Sequence, residues 1–351
     1  MHPLKTTQAL LEQLQENKTL EEYAILVGYQ DQEWALTSGN VNLDTYFDIA
    51  SMGKIFPTTT LALMAVSEGK LALTDTLDHF FPFVPEDKKQ ITVRHLMTHT
   101  SGMLRWEFPD DIAQNGREGI ARWILQRPLD FATGTRKAYS CNAMILLGFI
   151  LEKIWQQSLD VLFRQRVLQP LGLSRSRYNI AKDEPNAVLC CTHSDEAAYP
   201  LDDGNVRKMK GIPAGNGGNF STANDLRAFV KALLRQDPKL YSKELFALAE
   251  TNLTKGLPVL DEFRGKENHG LGYVIVDENC PNANTLFPHG SIGHSGFTGQ
   301  SFFLNRELGL YVIQLTNAAR CSAQKHGHVD SLEVRKMRAD LHTAIKKDLA
   351  L

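Results

Sequence analysis

The apolar runs of this chain change their period along its length, and that change constrains the fold more than any single motif. Near the start, YAILVGY (23–29) and EWALTSG (33–39) are short runs split by Gln-Asp-Gln, the pattern of a β-hairpin. Near the end, GLGYVIV (270–276), QSFFLN (300–305) and LGLYVIQLTN (308–317) again read as strands. From about Thr74 to Asn219 the strand signals fade. Helical patterns such as VRHLMTH, IARWILQ and AMILLGFILEKIWQQ alternate there with loops rich in Pro and Gly. Amphipathic helices close both ends, with Leu4, Leu10, Leu11 and Leu14 at helical spacing in one and residues 331–349 forming the other. The expected fold is α/β (α+β): an antiparallel sheet flanked by N- and C-terminal helices and built from residues 1–73 and 220–351, carrying an inserted, mostly helical domain over 74–219.

Composition narrows the function classes. With 351 residues, 43% hydrophobic and 22% charged, the chain can bury an enzyme-sized core, and a net charge of −2 recruits no nucleic acid. No segment approaches the ~18 apolar residues of a membrane span, and the first eighteen residues lack the apolar run of a signal peptide. The five cysteines are odd in number and form no C-x-x-C, so neither a disulfide framework nor a zinc knuckle is indicated. A reducing, cytoplasmic setting is expected.

The chemistry-bearing residues sit in a few segments. Ser51 and Lys54 form S-x-x-K at a predicted helix start, a spacing that puts both side chains on one face. A serine hydroxyl needs a base, and a lysine can serve if burial and the helix N-terminus depress its pKa. The N–H groups freed at that terminus can also stabilise an oxyanion. Four residues with two fixed letters recur by chance, so an N-cap serine followed by a solvated lysine is the bland alternative. Further on, AYSCNA (138–143) sets a phenol, a hydroxyl, a thiol and an amide before an apolar helix, and GHSGFTGQSFFLN (293–305) is read as starting a strand whose small residues let a substrate approach.

In order and spacing, FDIASMGK, LTDTLDHFFP, ITVRHLMTHTSGM, YSCNAMILLGFILEKI, GNGGNFSTANDLRAFVKALL and GHSGFTGQSFFLNRELGLYVIQLTN resemble the serine beta-lactamase and penicillin-binding-protein-like hydrolases. The branch is that of class C beta-lactamases, D-alanyl-D-alanine carboxypeptidases, D-aminopeptidases and related esterases. The resemblance implies Ser51 as nucleophile, Lys54 as its activator and Tyr139 as proton shuttle. It puts His294-Ser295-Gly296 at the K-T-G strand motif and makes the N–H groups of Ser51 and Phe297 the oxyanion hole. It implies no metal and no cofactor, and a small-molecule or short-peptide substrate as the partner.

Two departures bear on substrate. The family's Y-x-N asparagine falls on Cys141, and Asn142 comes one place late, a rotation of about 100° on a helix; a thiol cannot present a carbonyl to a substrate amide. His294 replaces a lysine whose fixed charge suits a substrate carboxylate. An ester or small peptide is therefore expected ahead of a beta-lactam. Ser140 is read as filler.

Other readings are weaker. Cys141 as nucleophile competes with Cys141 as a packing residue. His95 and His99 have zinc spacing but no H-E-x-x-H, and Cys190, Cys191 and His193 resemble a soft-metal cluster only superficially. Trp106, Trp155 and Tyr178 are core or rim residues before they are pocket linings. A catalytically silent binding or scaffold relative is the rival of a different class.

Overall fold

In the computed structural model, the described residues are 4–351 apart from 104–105, 182, 191, 193–200, 261–265 and 284. The first hairpin forms as the sequence suggests, β1 (Tyr23–Tyr29) turning through Gln30 and Asp31 into β2 (Gln32–Thr37). A short β3 (Phe47–Asp48) leads into the S-x-x-K segment, and β4 (Arg177–Tyr178) and β5 (Asn219–Ser221) follow much later. From the C-terminal third come β6 (Asn268–His269), β7 (Val274–Ile275), β8 (Ile292–Ser295), β9 (Ser301–Asn305) and β10 (Leu310–Thr316).

Seven strands form one antiparallel sheet in the order β2-β1-β10-β9-β8-β7-β6, so the first and last strands of the chain lie side by side within it, Tyr23 opposite Thr316 and Tyr29 opposite Leu310. Both faces of this sheet are covered, which is why β1 and β10 read as nearly continuous apolar runs rather than alternating ones. Ala24, Leu26, Ile313 and Leu315 face one core with Phe56, Phe229 and Leu147; Ile25, Val27, Leu310 and Val312 face another with Leu11, Leu14, Leu341 and Ile345 of the two terminal helices, Lys5–Glu16 and Ser331–Leu349.

A second sheet of three short strands, β3-β5-β4, escaped the sequence reading. Strands of two or three residues carry too little pattern to be seen. It matters because it ties β3, and with it the S-x-x-K segment, to the stretch after GNGG: Ile49 N–H donates to Asn219 O at 3.0 Å. Among the described residues, no helix is long and apolar enough to cross a membrane.

Candidate active site

The segment after β3 winds tightly. Ala50–Lys54 is a 3-10 helix, Ile55–Thr59 widens into a π turn around Pro57, and only Thr60–Ser67 is regular α-helix. Ala50 stands at φ 46°, a left-handed conformation uncommon for a residue with a Cβ, immediately before Ser51. Such a conformation persists only where the surroundings enforce it, and it turns Ser51 out of the strand. The Asp48 carboxylate does part of that work by accepting from Ala50 N–H at 2.8 Å. Asp48 is buried, and that burial, opposed by the bonds from the N–H groups of Ala50 and Asp202 and reinforced by nearby Asp202 and Asp203, pushes its pKa up to about 7.

Lys54 is 1% exposed. Its Nζ donates to Ser51 Oγ at 3.1 Å and to Asn216 O at 2.9 Å, and lies 4.9 Å from the centroid of the Tyr139 ring. Burial opposes its charge, but the Cys141 thiol, then Tyr139 through charge and a hydrogen bond, then Asp203 outweigh it, and the ammonium is held above the ordinary lysine range. This reverses the expectation that burial would depress Lys54. The groups that decide the sign come from residues 139, 141 and 203, which no local pattern links to position 54. Asp203 acts from the start of the helix Gly204–Lys208, which it caps, and accepts from Asn216 Nδ2 at 3.2 Å.

Tyr139 is clamped from both sides by His99. The His99 carbonyl accepts from Ala138 N–H at 3.0 Å, its ring Nδ1 accepts from Ser140 N–H at 3.2 Å, and its ring lies against the Tyr139 ring with centroids 4.7 Å apart. The helix that begins at Val93 ends at Met97, so His95 and His99 do not share a helical face; His95 bonds the Thr92 N–H and hydroxyl instead, in a capping box. Ser140, read as filler, is the N-cap of the helix Cys141–Trp155, its Oγ accepting from Ala143 N–H at 3.1 Å. Cys141 and Asn142 are the first two residues of that helix and both are buried.

The third segment needs a correction of place. His294 and Ser295 end β8 rather than begin a strand; Gly296–Gln300 is the turn into β9, with Ser295 opposite Ser301. The turn closes because Gly299, at φ 110°, adopts a conformation open to glycine. His294 is buried, its ring centroid 6.1 Å from that of Tyr139. Gly296 serves the protein before any substrate: a Cβ there would stand 3.0 Å from both Ala50 Cβ and Ile49 O. Thr298 Oγ1 donates to Asp48 O at 3.2 Å, so the turn carrying Phe297 lies directly against the turn carrying Ser51.

Thus Ser51, Lys54 and Tyr139 converge, Cys141 and His294 stand beside them, and Gly296 brings Phe297 up to the nucleophile's turn. The family model described as Beta-lactamase matches residues 7–329. The chain belongs to the beta-lactamase family. It is a serine hydrolase, as the names of its relatives within the family also indicate. It is 29% identical over 314 residues to Esterase EstB of Burkholderia gladioli, covering 79% of this chain and 78% of that protein. It is 25% identical over 325 residues to a putative D-alanyl-D-alanine carboxypeptidase of Escherichia coli O157:H7, covering 78% and 69%. In fold it is similar to a beta-lactamase/D-alanine carboxypeptidase from Pseudomonas syringae, with TM-score 0.76 at 19% identity over 99% of both chains.

Sequence reasoning missed Asp48, Asp203 and Asn216 of this beta-lactamase family site, and weighed His99 only as a zinc candidate. Asp48 and His99 left a signal, a carboxylate inside an apolar run and a histidine beside Thr-Ser-Gly. Of the weaker candidates, Tyr178 is buried with its hydroxyl on Ala214 O, Trp155 is half-buried beneath Arg166, and Trp106 is 37% exposed. Cys190 is buried with Val188 O and Thr316 O near its sulfur, whereas Cys191 and His193 lie outside the described residues.

Proposed function

We propose that the protein hydrolyses neutral esters or small amides through an acyl-enzyme on Ser51. The observation that carries this reading is the contact of Lys54 Nζ with Ser51 Oγ at 3.1 Å while the same ammonium sits over the Tyr139 ring. Lys54 Nζ donates to Ser51 Oγ, so this reading keeps the lysine as a donor and gives the serine proton to the Tyr139 oxygen, acting in its phenolate form. Ser51 Oγ attacks the substrate carbonyl carbon as its proton passes to the Tyr139 oxygen. The N–H groups of Ser51 and Phe297 hold the resulting oxyanion. Tyr139 O–H then protonates the leaving oxygen or nitrogen as its bond to carbon breaks. Water adds to the acyl-enzyme by the same path, giving its proton to Tyr139 and releasing the acid and a reprotonated Ser51.

Three features favour an uncharged substrate with an apolar group. His294 offers no fixed positive charge, and Cys141 offers no amide. Moreover, exposed apolar side chains occur on segments bonded to the catalytic ones: Phe297 follows Gly296; Leu260 N–H donates to Lys137 O two residues before Tyr139; and Trp106 O accepts from Asn205 beside Asp203. Apolar side chains on those segments suit an alkyl or aryl ester. A reducing, cytoplasmic setting belongs to the proposal, since Cys141, Cys190, Cys280 and Cys321 are buried free thiols. The partner is a small molecule or short peptide rather than nucleic acid or membrane.

Intact-mass detection after a fluorophosphonate tests the nucleophile, and a panel of p-nitrophenyl esters, D-amino-acid amides and nitrocefin tests the substrate. One phosphonyl adduct, lost in Ser51→Ala, and esters turned over fastest are expected. No adduct sinks the acyl-enzyme, and nitrocefin turned over fastest sinks the demotion of beta-lactams.

A further inference from the structure

The C-terminal helix Ser331–Leu349 is amphipathic and carries many charges, yet one of them, Arg338, is 2% exposed. Removing a guanidinium from water costs several kcal/mol unless it is fully bonded, so its position asks for a reason beyond packing. Its fork reaches toward the β8–β9 turn. Nη2 donates to Gln300 O at 3.2 Å and to Gly296 O at 3.4 Å, and Nη1 donates to Asn282 Oδ1 at 3.3 Å. Asn282 in turn donates to the buried Glu267 carboxylate at 2.9 Å, which places a counter-charge two bonds away. One turn further along the helix, His342 is buried, and burial with the Arg338 charge beside it pulls its pKa down to about 3, so no second cation competes.

The carbonyl of Gly296 and the N–H of Phe297 belong to one planar peptide and point in opposite directions. That carbonyl also accepts from Gly299 N–H at 3.3 Å within the turn; the cation bonded to it adds a second hold on where the Phe297 N–H points, and polarisation across the amide strengthens that N–H as a donor. The turn is held independently on its other flank, where Gly296 meets Ile49 and Ala50 and Thr298 bonds Asp48 O. The peptide is thus gripped between the C-terminal helix and the nucleophile's turn.

We propose that Arg338 is a positioning residue for the oxyanion hole: bonded to the Gly296 carbonyl, it aims and strengthens the Phe297 N–H that receives the negative charge of the tetrahedral intermediate. The proposal rests on the acyl-enzyme reading given above. It assigns Arg338 no contact with substrate, so its effect falls on the transition state and not on ground-state binding.

The test compares wild type with Arg338→Met, Arg338→Lys and Asn282→Ala, the last of which frees one arm of the guanidinium without deleting it. Steady-state kinetics on a p-nitrophenyl ester are read beside inhibition by an arylboronic acid, which forms a tetrahedral adduct with a catalytic serine, and thermal unfolding reports folding. For Arg338→Met we expect kcat to fall about 10- to 100-fold, KM to stay within about twofold, and boronate affinity to fall in parallel with kcat. Arg338→Lys recovers part of both, and Asn282→Ala loses a few-fold of both. If Arg338→Met does not fold, the other two variants decide by the same parallel. Folded variants with unchanged kcat overturn the proposal, as does a loss that appears in KM while boronate affinity holds. Failure of the underlying reading is separate, because wild type would then take neither boronate nor fluorophosphonate at Ser51.

Discussion

The two sides of the site are built differently. On one, Ser51 and Lys54 are three residues apart in a single tight turn, and the groups that set the lysine's charge are the side chains around it, Cys141, Tyr139 and Asp203. On the other, the β8–β9 turn from Gly296 to Gln300 has Phe297 exposed at its tip and takes its shape from contacts behind it: Gly299 at positive φ, Thr298 on Asp48 O, and Arg338 on two carbonyls. The first side moves protons and the second receives charge. Reactivity on the first depends on which groups neighbour Lys54; on the second it depends on where one peptide points.

The largest effect that distinguishes the sides comes from removing the charge at Lys54. Lys54→Met keeps the volume but leaves Tyr139 without its cation, and kcat/KM for an ester is expected to fall about 1,000-fold or more; a loss below about tenfold would mean that the ammonium is a bystander. On the opposite side, Gly296→Ala pushes a Cβ to 3.0 Å from Ala50 Cβ and Ile49 O. Separation of the two turns is expected to lower kcat about tenfold and stability by about 1–2 kcal/mol. Unchanged kinetics there would show that the two turns tolerate separation.

A smaller effect concerns the carboxylate beneath both turns. Asp48 holds its proton up to about pH 7 in the folded state, whereas in the unfolded chain it ionises near its ordinary value of 3.8. Between those values the folded state binds the extra proton, so the Asp48 contribution to stability is present at low pH and is lost as pH rises from about 4 to 7. Asp48→Asn, whose amide oxygen can still accept from Ala50 N–H, should flatten that part of a plot of stability against pH and raise stability at pH 8 relative to wild type. A parallel pair of curves would show that the buried carboxyl ionises freely.

The same contrast explains what the sequence made legible. The S-x-x-K pair could be seen because its chemistry is local, and the antiparallel sheet because β1 and β10 are long apolar runs. Tyr139 could be placed only by the order of motifs, since nothing in AYSCNA itself separates a phenol that reaches Lys54 from one that packs. The protonation of Lys54 was misjudged because Cys141, Tyr139 and Asp203 meet it only after folding. Ser140 was misread because an N-cap and an idle serine look alike until the helix boundary is known. Arg338 was invisible for a related reason: in a helix with this many charges, a buried arginine has the same spacing as its solvated neighbours.

The central claim is that Ser51 carries the acyl group between two chemical steps. Acid quenching of the enzyme during turnover of a slowly hydrolysed aryl ester, followed by peptide mass mapping, tests it most directly. The account predicts a peptide heavier by the acyl group at Ser51 and none in Ser51→Ala. An acyl group found on Cys141, or steady turnover by Ser51→Ala, would contradict it.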